Sequence, residues 1–272
     1  MKISTNNYAE VTEILQEISR LASKKINEIY SDDFKEFKKE DNSPVTVADI
    51  ESNRIIIDKL SKNFRNIKLI SEESSERSLQ GGEEFFIIDP LDGTKEFIKK
   101  NGEFTVNIAL IQKTRPVLGI VELPVSFTQY YSDGYKSYKK VKNSEKIITS
   151  EKLTDFVITI SRSHKDDKTD EFIKNLKKNT DKFVNTTEAG SSLKFCLIAE
   201  GLANIYIRTG NTMEWDIAAG NAVLNTANAN LYDTNLNKLR YGKENFKNQA
   251  FIAFSKDLDT NLIRKCLPDV YI

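Results

Sequence analysis

The sequence predicts a mixed α and β protein in which helical layers alternate with sheets, the first sheet being partly antiparallel. Three observations lead to this prediction. Apolar residues recur at helical spacing near the N-terminus, a series of short apolar segments follows, and the second half mixes both patterns. The 272 residues suffice for one large domain or for two lobes, each with a packed core.

Two helices and a set of strands are predicted in the first half. Apolar residues from Val11 to Ile26 recur at helical spacing, and a second helix is expected from about Ala48 to Asn63. Ser43 precedes a proline, so the segment between these helices should be extended or form a turn. Strands are predicted over residues 67–70, 85–88, 105–111, 117–123 and 127–131, the last three as an antiparallel meander.

Further strands and helices are predicted in the second half, after a lysine-rich stretch. Strands are predicted near residues 156–160, 204–207 and 250–254, and helices near 191–200 and 216–226. Because the lysine-rich stretch is the best candidate for a boundary, we expect an N-terminal lobe over residues 1–135 and a C-terminal lobe over 153–272. Residues 136–152 form the predicted boundary.

Composition is that of an ordinary soluble protein without a global charge. Hydrophobic residues make up 39% and charged residues 29%, and 40 basic residues balance 40 acidic ones. No global basic field therefore exists to hold a nucleic acid. No apolar run approaches the roughly 20 residues of a membrane span, and the first ten residues lack a hydrophobic signal core. We expect a cytoplasmic protein, with peripheral attachment to the inner membrane left open.

Cysteine usage fits a reducing compartment. Cys196 and Cys266 are the two cysteines, and they lie far apart in sequence. Two free thiols are the expected state, and a disulfide remains the alternative.

Acidic residues stand beside turn residues in three segments, residues 71–73, 85–94 and 214–216. In the middle segment, four apolar residues form a buried strand that ends at Asp89, and Pro90 and Gly93 allow a tight turn. Asp89 and Asp92 can then converge, and two nearby carboxylates repel each other unless a cation neutralises them. The turn also frees the Leu91 carbonyl to face the same cation.

The ligand chemistry favours magnesium or manganese over zinc, because the donors are all oxygens and His164 is the single histidine. Several carboxylates exceed what one Mg²⁺ needs, so two or three ions about 4 Å apart are expected.

Thr94 opens a short helical segment, and the N–H groups of Gly93 and Thr94 could hold a phosphate beside the metal. Taken singly, each acidic motif has an ordinary structural explanation, as a β-turn, a helix N-cap or a solvated loop.

Two motifs taken together resemble the signatures of the inositol monophosphatase superfamily of Mg²⁺-dependent, lithium-sensitive phosphatases. They are Asp89-Pro90-Leu91-Asp92-Gly93-Thr94 and Trp215-Asp216. Residues 41–46, 92–107 and 190–196 are similar to the bacterial 3′(2′),5′-bisphosphate nucleotidases of that superfamily, and the likeness runs from about Val11 to Phe254. The resemblance implies a layered αβαβα fold. It also implies hydrolysis of 3′-phosphoadenosine 5′-phosphate to AMP and phosphate, which clears a by-product of sulfate activation.

Site residues follow from the resemblance, position by position. The implied metal ligands are Glu72, Asp89, the Leu91 carbonyl, Asp92 and Asp216, with Asp49 for a further Mg²⁺. The resemblance implies that Asp41 and Thr94 orient the attacking water and that Glu72 is also a catalytic residue. The implied substrate contacts are Gly93, Thr94, His164, Ser191, Lys194 and Arg208. Lys194 lies on a helix that should be largely buried, where a charge needs a partner such as a substrate phosphate.

Two other functions remain open at this point. One is a phosphatase of the same superfamily that acts on inositol monophosphate or fructose 1,6-bisphosphate; residues 43–46 and 95–97 favour the nucleotidase instead. The other is a non-catalytic nucleotide-binding regulator on the same scaffold, which would have little reason to keep a water-orienting pair. The expected partner is a small nucleotide and not a nucleic acid, and the chain is expected to be a monomer or a homodimer.

Overall fold

Helical layers and two β-sheets alternate through the molecule. The computed structural model describes residues 2–32, 36–38, 44–74, 78–79, 84–151, 153–163 and 166–268. Two predicted site residues, Asp41 and His164, lie outside these ranges. The mixed α and β class predicted from the sequence is confirmed.

The first layer consists of α1 (Tyr8–Ser31), which follows a 3₁₀ turn (Thr5–Asn7), and α2 (Val47–Asn63). An apolar stripe on α1 that includes Val11, Leu15 and Ile18 is buried against one face of the larger sheet. Helix α2 begins at a capping box, in which the Thr46 hydroxyl accepts a hydrogen bond from the Ala48 N–H and the carboxylate of Asp49 accepts one from the Thr46 N–H.

The larger sheet has seven strands that follow one another in chain order. They are β3 (Lys68–Ser71), β4 (Phe85–Asp92), β5 (Thr105–Gln112), β6 (Arg115–Leu123), β7 (Thr128–Ser132), β8 (Ser137–Val141) and β9 (Ser144–Ile148), and a separate ribbon pairs β1 (Glu36–Lys38) with β2 (Pro44–Thr46). Strand β4 pairs parallel with β3 and antiparallel with β5. Its residues are buried on both faces, because helices cover both sides of the sheet. The predicted boundary, residues 136–152, contains β8 and β9, which complete this sheet; the division into two lobes stays a prediction.

The smaller sheet has five strands in the order β11-β10-β12-β16-β14. These are β10 (Phe156–Ser161), β11 (Val184–Ala189), β12 (Ile205–Arg208), β14 (Ala229–Asp233) and β16 (Phe251–Ser255), while β13 (Thr212–Met213) and β15 (Lys247–Asn248) form a separate ribbon. The remaining helices are α3 (Thr94–Ile98), α4 (Asp167–Lys178), α5 (Leu193–Ala199), α6 (Glu214–Thr226) and α7 (Thr260–Cys266). Helices α4 and α7 cover the outer face of this sheet, and α5 and α6 lie between the two sheets.

Small residues let α6 pack closely in the central layer. A Cβ added at Gly119 on β6 would lie 2.6 Å from the Ala219 carbonyl oxygen, and one added at Gly220 would meet the ring of Phe195. Helix α6 therefore touches β6 on one side and α5 on the other. This packing gives the αβαβα layering that the resemblance implied, and it aims the N-terminus of α6 at the end of β4.

Two further expectations can be compared with the structure. Cys196 and Cys266 are both free and buried. Among the described residues, no helix combines the length and the apolar character that a membrane span requires.

Candidate active site

A cleft of about 300 Å³ opens where the two sheets approach each other. The end of β4 and the start of α3 form one wall, and the starts of α5 and α6 together with β12 form the other. The predicted site residues among its lining are Glu72, Asp89, Leu91, Asp92, Gly93, Thr94, Ser191, Lys194, Arg208 and Asp216. The fold thus brings together residues that are up to 144 positions apart in sequence, from Glu72 to Asp216.

Glu72, Asp89 and Asp216 form a compact carboxylate cluster, in which one oxygen from each lies within 4.8 Å of the others. The parallel pairing of β3 with β4 places Glu72 beside Asp89, and the Glu72 N–H donates to the Ile88 carbonyl over 3.1 Å. Asp216 lies in the first turn of α6, where its carboxylate accepts a hydrogen bond from the Met213 N–H over 2.8 Å. Burial, followed by repulsion from neighbouring carboxylates, raises the pKa of Asp89 and of Asp216 well above the usual range.

Asp92 lies beside this cluster, and the loop before α5 holds its carboxylate. Its Oδ2 accepts hydrogen bonds from the Ser191 hydroxyl over 2.6 Å and from the Ser192 N–H over 2.8 Å. Burial raises the pKa of Asp92, and these hydrogen bonds oppose that shift. Because Oδ2 already has two close donors, Oδ1 is the oxygen that a cation could use. Ser191, predicted to contact substrate, uses its hydroxyl here, and its φ of +51° marks a tight backbone turn.

The backbone between Asp89 and Asp92 is irregular, as the sequence predicts. The register of β4 against β5 shifts between these two residues. The Leu91 N–H donates to Asp89 Oδ1 over 3.1 Å, and the Pro90 carbonyl accepts from the Ser52 hydroxyl over 2.7 Å. Gly93 then adopts a φ of +92°, which favours glycine, at the N-terminal cap of α3.

Thr94 is hydrogen-bonded to Asp49. The Thr94 hydroxyl donates to Asp49 Oδ1 over 3.1 Å, while Asp49 Oδ2 accepts from the N–H and the hydroxyl of Thr46, each over 2.7 Å. Burial raises the pKa of Asp49. Asp49 was expected as a ligand of a further Mg²⁺, and its oxygens here bind hydroxyl and amide donors. Asp41, the expected partner of Thr94, lies outside the described residues, so both roles stay predictions.

Two basic residues line the same cleft as the carboxylates. Lys194 is 5% exposed; its ammonium donates to the Ser191 carbonyl over 2.6 Å and lies 5.2 Å from the centre of the Tyr206 ring. Burial lowers the pKa of Lys194 to about 8. Within the described part of the chain, the Nε atom of Arg208 is buried without a hydrogen-bond partner, which leaves it available to an acceptor on a bound molecule.

Some residues that line the cleft were not predicted from sequence as site residues. They include Glu96, Ser161, Tyr206, Asn211 and Thr212. Glu96 is buried and accepts a hydrogen bond from the Ser163 hydroxyl, which lies on the far side of the cleft. Its position in the first turn after Gly93-Thr94 could have identified it, whereas the others depend on the packing of β12 and β13.

The donor set fits a divalent cation. The clustered groups are carboxylates, which are hard oxygen ligands, and burial, together with repulsion from Glu72 and Asp216, raises the pKa of Asp89. A cation in the cluster would remove that repulsion. The chemistry of the residues therefore agrees with the magnesium or manganese site predicted from the sequence.

Residues 7–267 match the inositol monophosphatase family. The chain belongs to this family. Enzymes of the inositol monophosphatase family are metal-dependent, and the acidic cluster of this member can hold a metal ion. The family predicted from the two motifs is thereby confirmed.

Bacterial nucleotidases are among the similar proteins. This inositol monophosphatase family member is 43% identical to the 3′(2′),5′-bisphosphate nucleotidase CysQ of Salmonella typhimurium over 217 residues, which are 79% of this chain and 86% of that protein. It is 31% identical to the CysQ of Aggregatibacter actinomycetemcomitans over 250 residues, covering 89% and 92% of the two chains.

Solved structures of similar proteins have the same fold. The crystal structure of CysQ from Bacteroides thetaiotaomicron, described as a bacterial member of the family, superposes with a TM-score of 0.81 at 36% identity and covers 92% of this chain and 98% of that one. SuhB from Bartonella henselae, at 21% identity and a TM-score of 0.76, covers 96% and 99% of the two chains and shares the fold.

Proposed function

We propose that this chain is a phosphomonoesterase that hydrolyses 3′-phosphoadenosine 5′-phosphate to AMP and phosphate. The observation that carries this proposal is the presence of opposite charges in one cleft, where Glu72, Asp89 and Asp216 cluster and Lys194 and Arg208 line the same space. A nucleotide with two phosphates fits such a site, since one phosphate can react beside the carboxylates while the basic residues hold the second. The similarity to CysQ nucleotidases supports the same substrate.

The second phosphate would bind to Lys194 and Arg208. The buried Nε of Arg208 has no hydrogen-bond partner among the residues that the structure describes, and a guanidinium can hold two phosphate oxygens at once. Lys194 is buried, and its ammonium is held by carbonyl oxygens, so it is already oriented before a ligand arrives. Backbone N–H groups of Gly93 and Thr94, Ser191 and His164 are the remaining proposed contacts.

Glu72, Asp89, the Leu91 carbonyl, Asp92 and Asp216 would hold two or three Mg²⁺ ions, for which Mn²⁺ can substitute. When bound, these ions supply positive charge that acidifies water and stabilises the phosphoryl oxygens.

The protein's own contribution to water activation is the hydrogen bond from Thr94 to Asp49. The Thr94 hydroxyl donates a hydrogen bond to Asp49. Thr94 Oγ1 can therefore accept a hydrogen bond from the attacking water. As the water attacks phosphorus, its proton passes to Thr94 Oγ1 and the Thr94 proton passes to Asp49, whose raised pKa suits an acceptor. The phosphorus–oxygen bond to the ribose breaks, and the leaving oxygen takes a proton from solvent. Asp41 is the alternative acceptor for the same proton.

Parallel phosphate-release assays test this function. With Mg²⁺ present, we expect release from 3′-phosphoadenosine 5′-phosphate and none from AMP or inositol 1-phosphate. Equal release from inositol 1-phosphate would indicate an inositol phosphatase, and no release from any substrate would indicate a binding protein. The Asp92→Asn variant should lose turnover by orders of magnitude while remaining folded.

We also propose a cytoplasmic location and a monomeric or homodimeric state. Cell fractionation and sedimentation velocity would test these two expectations separately.

A further inference from the structure

Glu214 is a fully buried carboxylate that takes no part in the proposed chemistry. It is the first residue of α6, two positions before Asp216, and its side chain is 0% exposed. Oε2 accepts a hydrogen bond from the Gly242 N–H over 2.7 Å, and Oε1 accepts one from the Lys243 N–H over 3.1 Å. The ammonium of Lys243 lies 2.6 Å from the same Oε1. A buried charge with this many donors is held firmly in place.

The loop attached to Glu214 reaches the wall of the cleft. The Lys243 ammonium donates to Asn248 Oδ1 over 3.0 Å, and Asn248 Nδ2 donates to the Thr212 hydroxyl over 3.2 Å. Thr212 lines the cleft and pairs with Asn248 in the β13–β15 ribbon. Glu214 thus stands at the centre of a polar network that joins the start of α6 to the Thr212 side of the site.

The same network includes the first turn of α6, which carries Asp216. Glu214 also donates its backbone N–H to the Phe246 carbonyl over 2.7 Å, so both its main chain and its side chain tie the first turn of α6 to the loop. Asp216 lies in that turn, and a metal site tolerates only small errors in the positions of its ligands. A shift of the first turn would separate Asp216 from Glu72 and Asp89.

We infer that Glu214 is a positioning residue for metal binding, which holds Asp216 in place through the Lys243 loop. This inference rests on the proposed metal-dependent function. It assigns to Glu214 no contact with substrate or metal. Its effect should therefore appear as weaker binding of Mg²⁺, with turnover that recovers when Mg²⁺ is raised.

Glu214→Gln tests the inference. The variant preserves side-chain size, but its amide NH₂ group cannot accept a hydrogen bond, so it must face either the Gly242 N–H or the two donors of Lys243. Glu200→Gln is the matched control, because Glu200 is a buried carboxylate whose side chain is 5% exposed and which binds Lys139 over 2.7 Å and the Tyr130 hydroxyl over 2.6 Å. It does not line the cleft. Both variants should lose thermal stability in EDTA, since each replaces a buried carboxylate that pairs with a lysine.

Mg²⁺ affinity is measured by titration calorimetry on the substrate-free protein. We expect about 10- to 100-fold weaker binding for Glu214→Gln and wild-type binding for Glu200→Gln. Wild-type affinity in Glu214→Gln, or an equal loss in Glu200→Gln, would overturn the inference while leaving the proposed function intact. Failure of the wild-type protein to bind Mg²⁺ would overturn the proposed function and the inference with it.

A second variant covers the case in which Glu214→Gln does not fold. Lys243→Met removes the ammonium but keeps the backbone donors of Gly242 and Lys243 to Glu214. Several-fold weaker Mg²⁺ binding is expected, with recovery of bisphosphate turnover at high Mg²⁺. Unchanged Mg²⁺ affinity in a folded Lys243→Met protein would then contradict the inference.

Discussion

The Thr94 hydroxyl donates a hydrogen bond to Asp49 over 3.1 Å and so joins the first turn of α3 to the first turn of α2. Asp49 Oδ2 accepts hydrogen bonds from Thr46. The position of the Asp49 carboxylate is therefore determined by the capping box of α2 as well as by Thr94. The pair lies beside the end of β4. A buried carboxylate that orients a hydroxyl in this way is a suitable group for directing a water molecule.

Removal of the Thr94 hydroxyl should slow phosphate release. Thr94→Ala is expected to lower kcat by about 10²- to 10⁴-fold, the usual contribution of a positioned proton acceptor. Thr94→Ser should retain most of the activity because it keeps the hydroxyl. Steady-state kinetics with 3′-phosphoadenosine 5′-phosphate measures both, and equal loss in the two variants would contradict the role of the hydroxyl.

Asp49→Asn and Asp41→Asn, compared side by side, identify the carboxylate that accepts the proton. If Asp49 is the acceptor, Asp49→Asn lowers kcat as much as Thr94→Ala does, and the double variant is no slower than either single one. A larger loss in Asp41→Asn than in Asp49→Asn would assign the role to Asp41. Asp49→Asn should also cost about 1 kcal/mol of stability through the weakened helix cap.

Asp89→Asn should stabilise the metal-free protein. Asp89 is buried, and its carboxylate is repelled by those of Glu72 and Asp92 when no cation is bound, which raises its pKa. Removal of this charge should raise the free energy of unfolding in EDTA by about 1–2 kcal/mol, or a few degrees in Tm. Asn can still accept the hydrogen bond from the Leu91 N–H.

The same variant should lose the stabilisation that Mg²⁺ gives to the wild-type protein. A ligand at 100 times its Kd stabilises the native state by about 2.7 kcal/mol. Differential scanning calorimetry with Mg²⁺ and with EDTA measures this increment. Asp58→Asn, which changes an exposed carboxylate on α2, is the control and should keep the full Mg²⁺ effect. An undiminished increment in Asp89→Asn would mean that Asp89 is not a ligand.

Local patterns in the sequence located much of the site. Asp89 and Asp92 stand at the end of an apolar strand, and Gly93 has the positive φ that the tight turn requires. The predicted helices and strands near these residues agree with the structure to within a few positions, because alternation and helical spacing act over short distances. Such patterns are visible without knowledge of the tertiary structure.

Long-range contacts could not be predicted in the same way. Glu214 is buried by a loop 28 residues further along the chain, and the hydroxyl of Ser191 binds Asp92 across 99 positions. The sequence marks both residues as polar but gives no partner for either. The strands β8 and β9 were also missed, because lysines on exposed strands conceal the alternating pattern.

Substrate capture should weaken at alkaline pH, because burial lowers the pKa of Lys194 to about 8. Above that pH the free enzyme loses the positive charge that attracts the second phosphate, so kcat/KM should fall as the pH rises from 7 to 9. Lys194→Gln should lower kcat/KM at all pH values and remove this fall. Arg208→Gln should also lower kcat/KM, by about 10- to 100-fold for a charge-assisted contact. It should keep the fall but move it to higher pH, because the charge of Arg208 helps to lower the pKa of Lys194. An identical pH profile for wild type and Lys194→Gln would contradict the assignment.

Glu122, which lies away from the cleft, should make the free energy of unfolding depend on pH. Its carboxylate is 2% exposed and accepts hydrogen bonds from the Ser19 hydroxyl over 2.9 Å and from Gln129 over 2.6 Å. Burial raises its pKa above the usual 4.5, and the hydrogen bonds only partly oppose this. The folded state therefore binds the proton more tightly than the unfolded state, so this group's stabilising contribution is complete below pH 4.5 and is lost as the pH rises through the raised pKa.

Glu122→Gln removes that titration while keeping an oxygen to accept both hydrogen bonds. The free energy of unfolding of the variant, relative to wild type, should increase from pH 4.5 upward and level off once Glu122 is ionised in the folded wild-type protein. Urea denaturation at a series of pH values measures the difference. Glu13→Gln, an exposed change on α1, should show no such trend. A constant difference between Glu122→Gln and wild type across this range would mean that the buried carboxylate titrates no differently in the folded and unfolded chains.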